Sequence, residues 1–173
     1  MSINMRSGTS PRFIIRRASP ADAEQIGAAH VDSIHSLGAK AYGPDVVAVW
    51  GAPKDVERYR RSMESAEVFF VAVADGPAGE PVLGFSSYRM EEGKHRTAIY
   101  VRGEAARMGV GTALFRVAEA AALEHGASEI HVDSALGAVP FYKSLGFEEL
   151  GAGQHRMSSG MLMDCVFMKK KRG

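Results

Sequence analysis

Gly109 and Gly111 are the residues of this chain whose type and spacing point most directly to chemistry. An apolar run, Ala98-Ile99-Tyr100-Val101, has the size and character of a buried strand, and a loop from Arg102 to Met108 follows it. Beyond the glycines, Val110, Ala113, Leu114, Val117, Ala118 and Ala121 recur at offsets of 3, 4, 7, 8 and 11, which is one face of a helix. The glycines therefore stand where a strand hands over to a helix N-terminus. Unpaired backbone N–H groups and the positive end of the helix dipole make that place a phosphate binder. With no Cβ at 109 or 111, a diphosphate can approach the main chain closely. The dinucleotide fingerprint G-x-G-x-x-G fails, because Leu114 holds its third glycine position. The triphosphate loop fails as well, since no Gly-Lys-Ser/Thr follows, which disfavours a plain nucleotide binder.

The elements that must position this bend follow from patterning. Phe13 to Arg17 reads as a first strand. Ser19-Pro20-Ala21-Asp22 starts a helix, with Ser as N-cap, Pro at the first helical position and an acid in the first turn. That helix carries Ala23, Ile26, Ala29, Ser33, Ile34 and Leu37 on one stripe and stops at Gly38. A short helix from Asp45 to Trp50 and another after Pro53, with Val56, Tyr59, Arg60 and Met63 at helical spacing, come next. Val68 to Ala74 is strongly β-forming, Asp75 to Gly79 turns it, and Val82 to Met90 returns as an antiparallel partner. Glu91-Glu92-Gly93 turns into the strand ending at Val101. The helix after Gly109 stops at Gly126, Ile130 to Val132 is a short strand, and Ala138 to Leu145 is a helix ended by Gly146. Phe147 to Leu150 and Leu162 to Met168 are paired strands, joined by a polar, glycine-rich loop from Gly151 to Gly160. The order predicts an α/β chain: a mixed sheet with helices on both faces.

Composition bounds the rest. The 173 residues suit a single domain, read as residues 11–169, with a flexible leader at 1–10 and a basic tail at 170–173. Lys plus Arg number 21 against 20 Asp plus Glu, which argues against a nucleic-acid or membrane-surface footprint. No apolar run is long enough to span a membrane, and the polar start MSINMRSGTS lacks a signal-peptide core. The lone Cys165 excludes an internal disulfide and fits a reducing cytoplasm; its apolar surroundings make it a buried small residue. His30 and His35 lie five apart on the first helix, off one another's face, and no metal-ligand spacing is present.

Two segments carry a family resemblance. Tyr100-Val101 followed by Gly109-x-Gly111 resembles the acyl-CoA-binding motif of the GCN5-related N-acetyltransferases (GNAT), Arg/Gln-x-x-Gly-x-Gly/Ala after a strand ending in Tyr-Val. Ala106 takes the Arg/Gln position, with Arg107 beside it, and Gly103 replaces the usual proline. Ala138 to Phe147, AVPFYKSLGF, is similar to the family's second signature, A-x-x-F-Y-x-x-L-G-F. The resemblance spans residues 12 to 169.

It implies the acyl-CoA N-acyltransferase fold, a central mixed, mostly antiparallel sheet splayed between its fourth and fifth strands. Exposed backbone in that splay would hold the pantetheine arm of coenzyme A like an added strand. It also implies an acetyl-CoA-dependent N-acetyltransferase whose donor is held by Arg107, Met108, Gly109, Val110, Gly111 and Thr112. Ile99, Tyr100 and Val101 would supply pantetheine contacts and an N–H for the oxyanion. Tyr142 would face the CoA sulfur; a phenol with pKa near 10 stays protonated at neutral pH and can donate to a thiolate. Phe141 then fills the core, and Lys143 is an exposed helix lysine.

Many relatives carry a glutamate base on the strand before the glycines, but His95 to Val101 contains no carboxylate. His95 is the nearest group of suitable pKa, Glu91 and Glu92 sit in the turn before it, and a water relay is the alternative. His155, in the late loop, is placed at the acceptor pocket. The resemblance implies as acceptor a primary amine of a small molecule or peptide. Glu57, Glu64 and Glu67 hint only faintly at a cationic one. A non-catalytic acyl-CoA-binding module of the same fold is the competing reading, and homodimerisation, common in the family, is encoded in no pattern.

Overall fold

A computed structural model describes residues 12–75 and 81–173. The expected leader at 1–10 and most of the turn at 75–79 lie outside the described residues. Among the described residues seven strands make one sheet: β1 (Phe13–Arg17), β2 (Val68–Ala74), β3 (Val82–Glu91), β4 (Lys94–Val101), β5 (Glu129–Ala135), β6 (Glu148–Arg156) and β7 (Leu162–Lys171). Their spatial order is β1-β2-β3-β4-β5-β7-β6. Every neighbouring pair is antiparallel except β4 and β5, which run parallel. Five helices flank the sheet: α1 (Ala23–Ser36), α2 (Pro44–Trp50), α3 (Val56–Ser65), α4 (Val110–Glu124) and α5 (Val139–Ser144).

The two faces of the sheet are covered by different helices. Ala23, Ile26 and Ala29 of α1 and Tyr59 of α3 pack with Phe69, Val71, Val82 and Phe85. On the opposite face Phe115, Ala121 and Ala122 of α4 and Tyr142 of α5 pack with Tyr88, Ile130, Val132, Phe147 and Met168. Of the apolar stripe predicted for α4, Val110, Leu114, Ala118 and Ala121 are buried, Ala113 and Val117 only partly so, and Phe115 and Ala122 join the buried face. The first helix begins as expected at Ser19, with one refinement. Pro20–Asp22 form a 3-10 turn, and Asp22 accepts from the Ser19 N–H at 2.8 Å and pairs with Arg16.

Three expectations are corrected in the last third of the chain. The glycine-rich stretch after Gly151 is strand as far as Arg156, because each residue finds a partner on β7, from Gly151 opposite Phe167 to Arg156 opposite Leu162. Cross-strand pairing there outweighs the poor strand propensity of glycine. The loop shrinks to a turn closed by Gly160 N–H to the Met157 carbonyl, 2.8 Å, and Met157 N–H to the Met161 carbonyl, 2.9 Å. Lys170 and Lys171 belong to β7 rather than to a tail; the Lys170 ammonium sits 2.6 Å from Glu119 and above the Phe115 ring. The short strand read at Ile130 to Val132 extends over Glu129–Ala135.

Candidate active site

The site begins where β4 leaves β5. Their register pairs Arg96 with His131 and, among the described residues, no pair beyond it. The Arg102 N–H donates to the Leu83 carbonyl of β3 at 2.8 Å. Backbone direction alternates along an antiparallel pair, so Tyr100 and Ala98 also turn their amides to β3. Ile99 and Val101 turn theirs the other way, into the gap. A splay between the fourth and fifth strands, with an open backbone edge, is what the sequence led us to expect.

The glycine bend lies beside the end of that edge. Gly109 has φ +81°, a left-handed conformation that disfavours a side chain, and it caps α4. The first intrahelical bond runs from Ala113 N–H to the Gly109 carbonyl at 3.0 Å, so the amides of Val110, Gly111 and Thr112 precede the helical ladder. A Cβ at Gly109 would meet nothing within 4 Å. At Gly111 it would crowd Phe141 at 3.1 Å and approach Val101 at 3.6 Å. Three free amides, a dipole end and open space above them fit the diphosphate of coenzyme A, and the adjoining strand edge fits its pantetheine arm. Arg107, itself at φ +62°, and Met108 complete the turn into the bend.

Contacts from distant parts of the chain fix this geometry, and several were not visible in the sequence. Val110 and Leu114 are buried with Ala72 and Ala105, against Ile99 and Val101. The buried Ser86 hydroxyl donates to the Leu114 carbonyl at 3.0 Å, tying α4 to β3. Gly84 lets the layers close, since a Cβ there would lie 2.7 Å from the Tyr100 carbonyl and 3.3 Å from Leu114.

Gly103, where the family pattern has proline, donates its N–H to Asp32 of α1 at 2.9 Å, and a Cβ there would meet Ser36 at 2.5 Å. A proline could make neither accommodation. Asp32→Ala strands that half-buried N–H, so a melting point lower by about 2–6 °C is expected from the ~1–2 kcal/mol penalty, readable by calorimetry.

Tyr142 is 6% exposed, among Phe115, Phe141 and Phe147. Burial, reinforced by the neighbouring Tyr100 phenol, raises its pKa above the usual tyrosine value, so the hydroxyl stays protonated. The Tyr100 phenol is likewise raised by burial, with Trp50 hydrogen-bonded to it acting in the opposite sense. Tyr100 stacks on Phe85 and lies against His30, with ring centroids 3.9 Å apart in the second case. Tyr42 donates its hydroxyl to the Asp164 carbonyl at 2.6 Å and accepts from the Leu136 N–H at 2.9 Å, closing the loop before α2 onto the ends of β5 and β7.

His95 is not brought to the gap. It precedes the last β4–β5 pairing, its Nδ1 lies 2.8 Å from the Tyr88 hydroxyl, and Tyr88 in turn packs on His125 at the end of α4. Glu91 is drawn to Arg89 and Arg96, Glu57 to Arg60 and Glu67 to Arg89. Lys143 pairs with Glu149, away from any phosphate role. His35 donates from Nε2 to the Gly51 carbonyl at 2.8 Å, a packing role. Among the described residues no cluster could hold a metal ion, and no helix is long and apolar enough to cross a membrane.

His30 is partly buried, with Nδ1 2.7 Å from the Tyr59 hydroxyl. Burial, with the nearby cations Lys54 and Arg58, pushes it down to about 3. It folds in neutral form, whereas the unfolded chain binds a proton near pH 6.5. The stability this adds is complete above pH 6.5 and lost as pH falls toward 3. Between pH 6.5 and 4.5 the loss is roughly 2–3 kcal/mol, so the wild-type melting point should fall through that window and that of His30→Gln should fall less steeply.

Comparison with known proteins agrees with this geometry. A family model described as an acetyltransferase (GNAT) domain matches residues 38–170. The uncharacterized N-acetyltransferase YafP of Escherichia coli (strain K12) is 27% identical over 134 residues, covering 78% of this chain and 80% of that protein. A GCN5-related N-acetyltransferase structure from Rhodopseudomonas palustris superposes with a TM-score of 0.78 at 24% identity, over 95% of this chain and 97% of the other. PaiA N-acetyltransferase from Thermoplasma acidophilum, solved in complex with coenzyme A, gives 0.69 at 20% identity over 93% and 99%. The last two establish a shared fold. Because the family match spans most of the sequence and takes in both the open strand edge and the glycine-capped helix, this chain belongs to the GNAT acetyltransferases, enzymes that draw on acetyl-CoA.

Proposed function

We propose that this acetyltransferase moves the acetyl group of acetyl-CoA to the primary amine of a small molecule or peptide, by direct attack within a ternary complex. The observation that carries the reading is the juxtaposition of the unpaired Ile99 and Val101 edge with the amides of Val110, Gly111 and Thr112. A thioester carrier laid along that edge, its diphosphate on the helix start, puts its acetyl end in the gap. That the Thermoplasma acidophilum relative was solved in complex with coenzyme A supports coenzyme A as the ligand.

Acetyl-CoA, a substrate here, supplies the activated acyl group. The backbone N–H groups of Ile99 and Val101 are the donors that stabilise the carbonyl oxygen as negative charge builds on it. Tyr142 holds the proton that the departing sulfur requires. Tyr42, Trp50, Tyr100 and His30 line the approach on the α1 side, where an amine would enter against aromatic faces.

The test has two arms. Calorimetry of the full chain with coenzyme A should show saturable heat. Free thiol should then appear from acetyl-CoA with at least one member of a panel of a polyamine, an arylalkylamine, an aminosugar and a short peptide. Heat without thiol release across the panel would overturn the transfer reading; no heat would overturn the site.

A further inference from the structure

Arg96 of β4, Asp133 of β5 and His155 of β6 converge on the α1 side of the gap. The Arg96 guanidinium donates to Asp133 Oδ1 at 3.0 Å, and His155 Nδ1 lies 3.3 Å from Asp133 Oδ2. Position along the strands explains the first contact. With Arg96 level with His131 in a parallel pair, Asp133 stands level with Ala98, one step past the last pairing, where the gap opens. Asp133 and Ala98 then project to the same face as Tyr100.

Pairing alone does not explain His155. Asp133 is opposite Phe167 and Phe167 opposite Gly151, whereas His155 is opposite Met163, further along the hairpin. A bulge between Glu149 and Gly151 bends β6. Gly153 then seats the Phe167 ring, where a Cβ would come within 2.0 Å. These two features coil the hairpin over the face and bring His155 onto Asp133.

We propose that His155 is the general base that takes the proton of the acceptor amine, with Asp133 as its positioning residue and Arg96 holding Asp133 in turn. This rests on the acetyl-transfer reading above. The hydrogen bond to His155, together with Arg96, holds the Asp133 carboxyl below its usual range, so it is ionised at neutral pH. An ionised carboxylate at Nδ1 favours the tautomer protonated there, which leaves the Nε2 lone pair free. The His155 side chain is half exposed, so Nε2 is reachable by an amine. Among the described residues on this face, burial holds the neighbouring His30 down at about 3, too weak a base at neutral pH. Ala98 and Ala135 carry no titratable group, the Tyr100 phenol is raised by burial, and the buried Cys165 thiol is pushed up to about 11.

Nε2 takes one proton from the ammonium nitrogen and passes it to solvent. The freed nitrogen forms the C–N bond, the C–S bond breaks, Tyr142 protonates the sulfur, and the second amine proton replaces the one Tyr142 gave.

Wild type, His155→Gln and Asp133→Asn are compared from pH 5.5 to 9.5 with acetyl-CoA and the panel amine of highest turnover. The charged groups facing His155 are Asp133 from β5 and Arg96 behind it on β4; Arg156 on β6 and Asp164 on β7, which accepts from Gln154, project to the other side of the sheet. Expected for His155→Gln is a fall of about 10²-fold in kcat/KM for the amine and loss of the acid limb, with the heat of coenzyme A binding and the melting point unchanged. Asp133→Asn should cost less. Nitrogen-15 NMR of neutral His155 should show the proton on Nδ1 in wild type and divided between the Nδ1 and Nε2 tautomers in Asp133→Asn. Turnover in His155→Gln within about threefold of wild type with its acid limb intact, or a wild-type proton resident on Nε2, overturns the proposal while leaving acetyl transfer standing. Wild type that binds coenzyme A yet releases no thiol overturns both.

Discussion

Tyr142→Phe is expected to lower kcat by about 10²–10³-fold while the heat of coenzyme A binding stays within about threefold of wild type. The substitution removes one oxygen and keeps the ring that packs against Phe115, Phe141 and Phe147, so the core loses almost no contact. What disappears is a buried, protonated hydroxyl with no protein hydrogen-bond partner among the described residues, the group proposed to deliver a proton to the departing sulfur. Burial keeps that proton in place throughout the neutral range, so the loss should be the same at pH 7 and pH 9. A pure packing role predicts the opposite split: a lower melting point with kcat intact. Stopped-flow measurement of thiol release beside a melting curve separates the two.

Gly109→Val should lower the melting point and weaken coenzyme A binding by more than about 30-fold, because two costs coincide, the first on folding and the second on binding. A β-branched side chain at φ +81° costs about 1–2 kcal/mol in backbone strain. Its methyl groups would also fill the open space above the Val110, Gly111 and Thr112 amides, where phosphate oxygens must come within hydrogen-bond reach. Gly109→Asn separates the costs, since asparagine tolerates the left-handed region and should recover most of the melting point but little of the affinity. Calorimetric titration and thermal melts of the three proteins check this. Equal affinity in all three would remove the glycine bend from the binding site.

Much of this molecule could be read along the chain because the relevant physics is local. The bend needs a residue free of Cβ at one backbone angle, and the sequence shows a glycine there. The α4 stripe and the alternation of the strands likewise record which side chains lose water, and the element order that follows from them matches the observed sheet. His95 was drawn to the site by residue type alone. It lies before the Arg96–His131 pairing, on the closed side of the splay, and only the register of the sheet decides that.

The misreadings share a cause. Gly151 to Arg156 looked like loop because glycine and polar residues disfavour an isolated strand; β7, reached only through a turn, supplied the hydrogen bonds that make it one. Asp32 and Gly103, Tyr42 and Asp164, and Asp133 and His155 are pairs whose partners lie 71, 122 and 22 residues apart. No pattern in the chain announces them, because each depends on how layers pack and how a hairpin coils.

Taken alone, then, the amino-acid order determined the kinds of elements, the phosphate-seeking turn and the family, since each is written in neighbouring residues and their solvent preference. Tertiary structure alone decided which titratable groups share the gap, because a proton relay is a matter of ångströms between side chains that the chain itself keeps far apart.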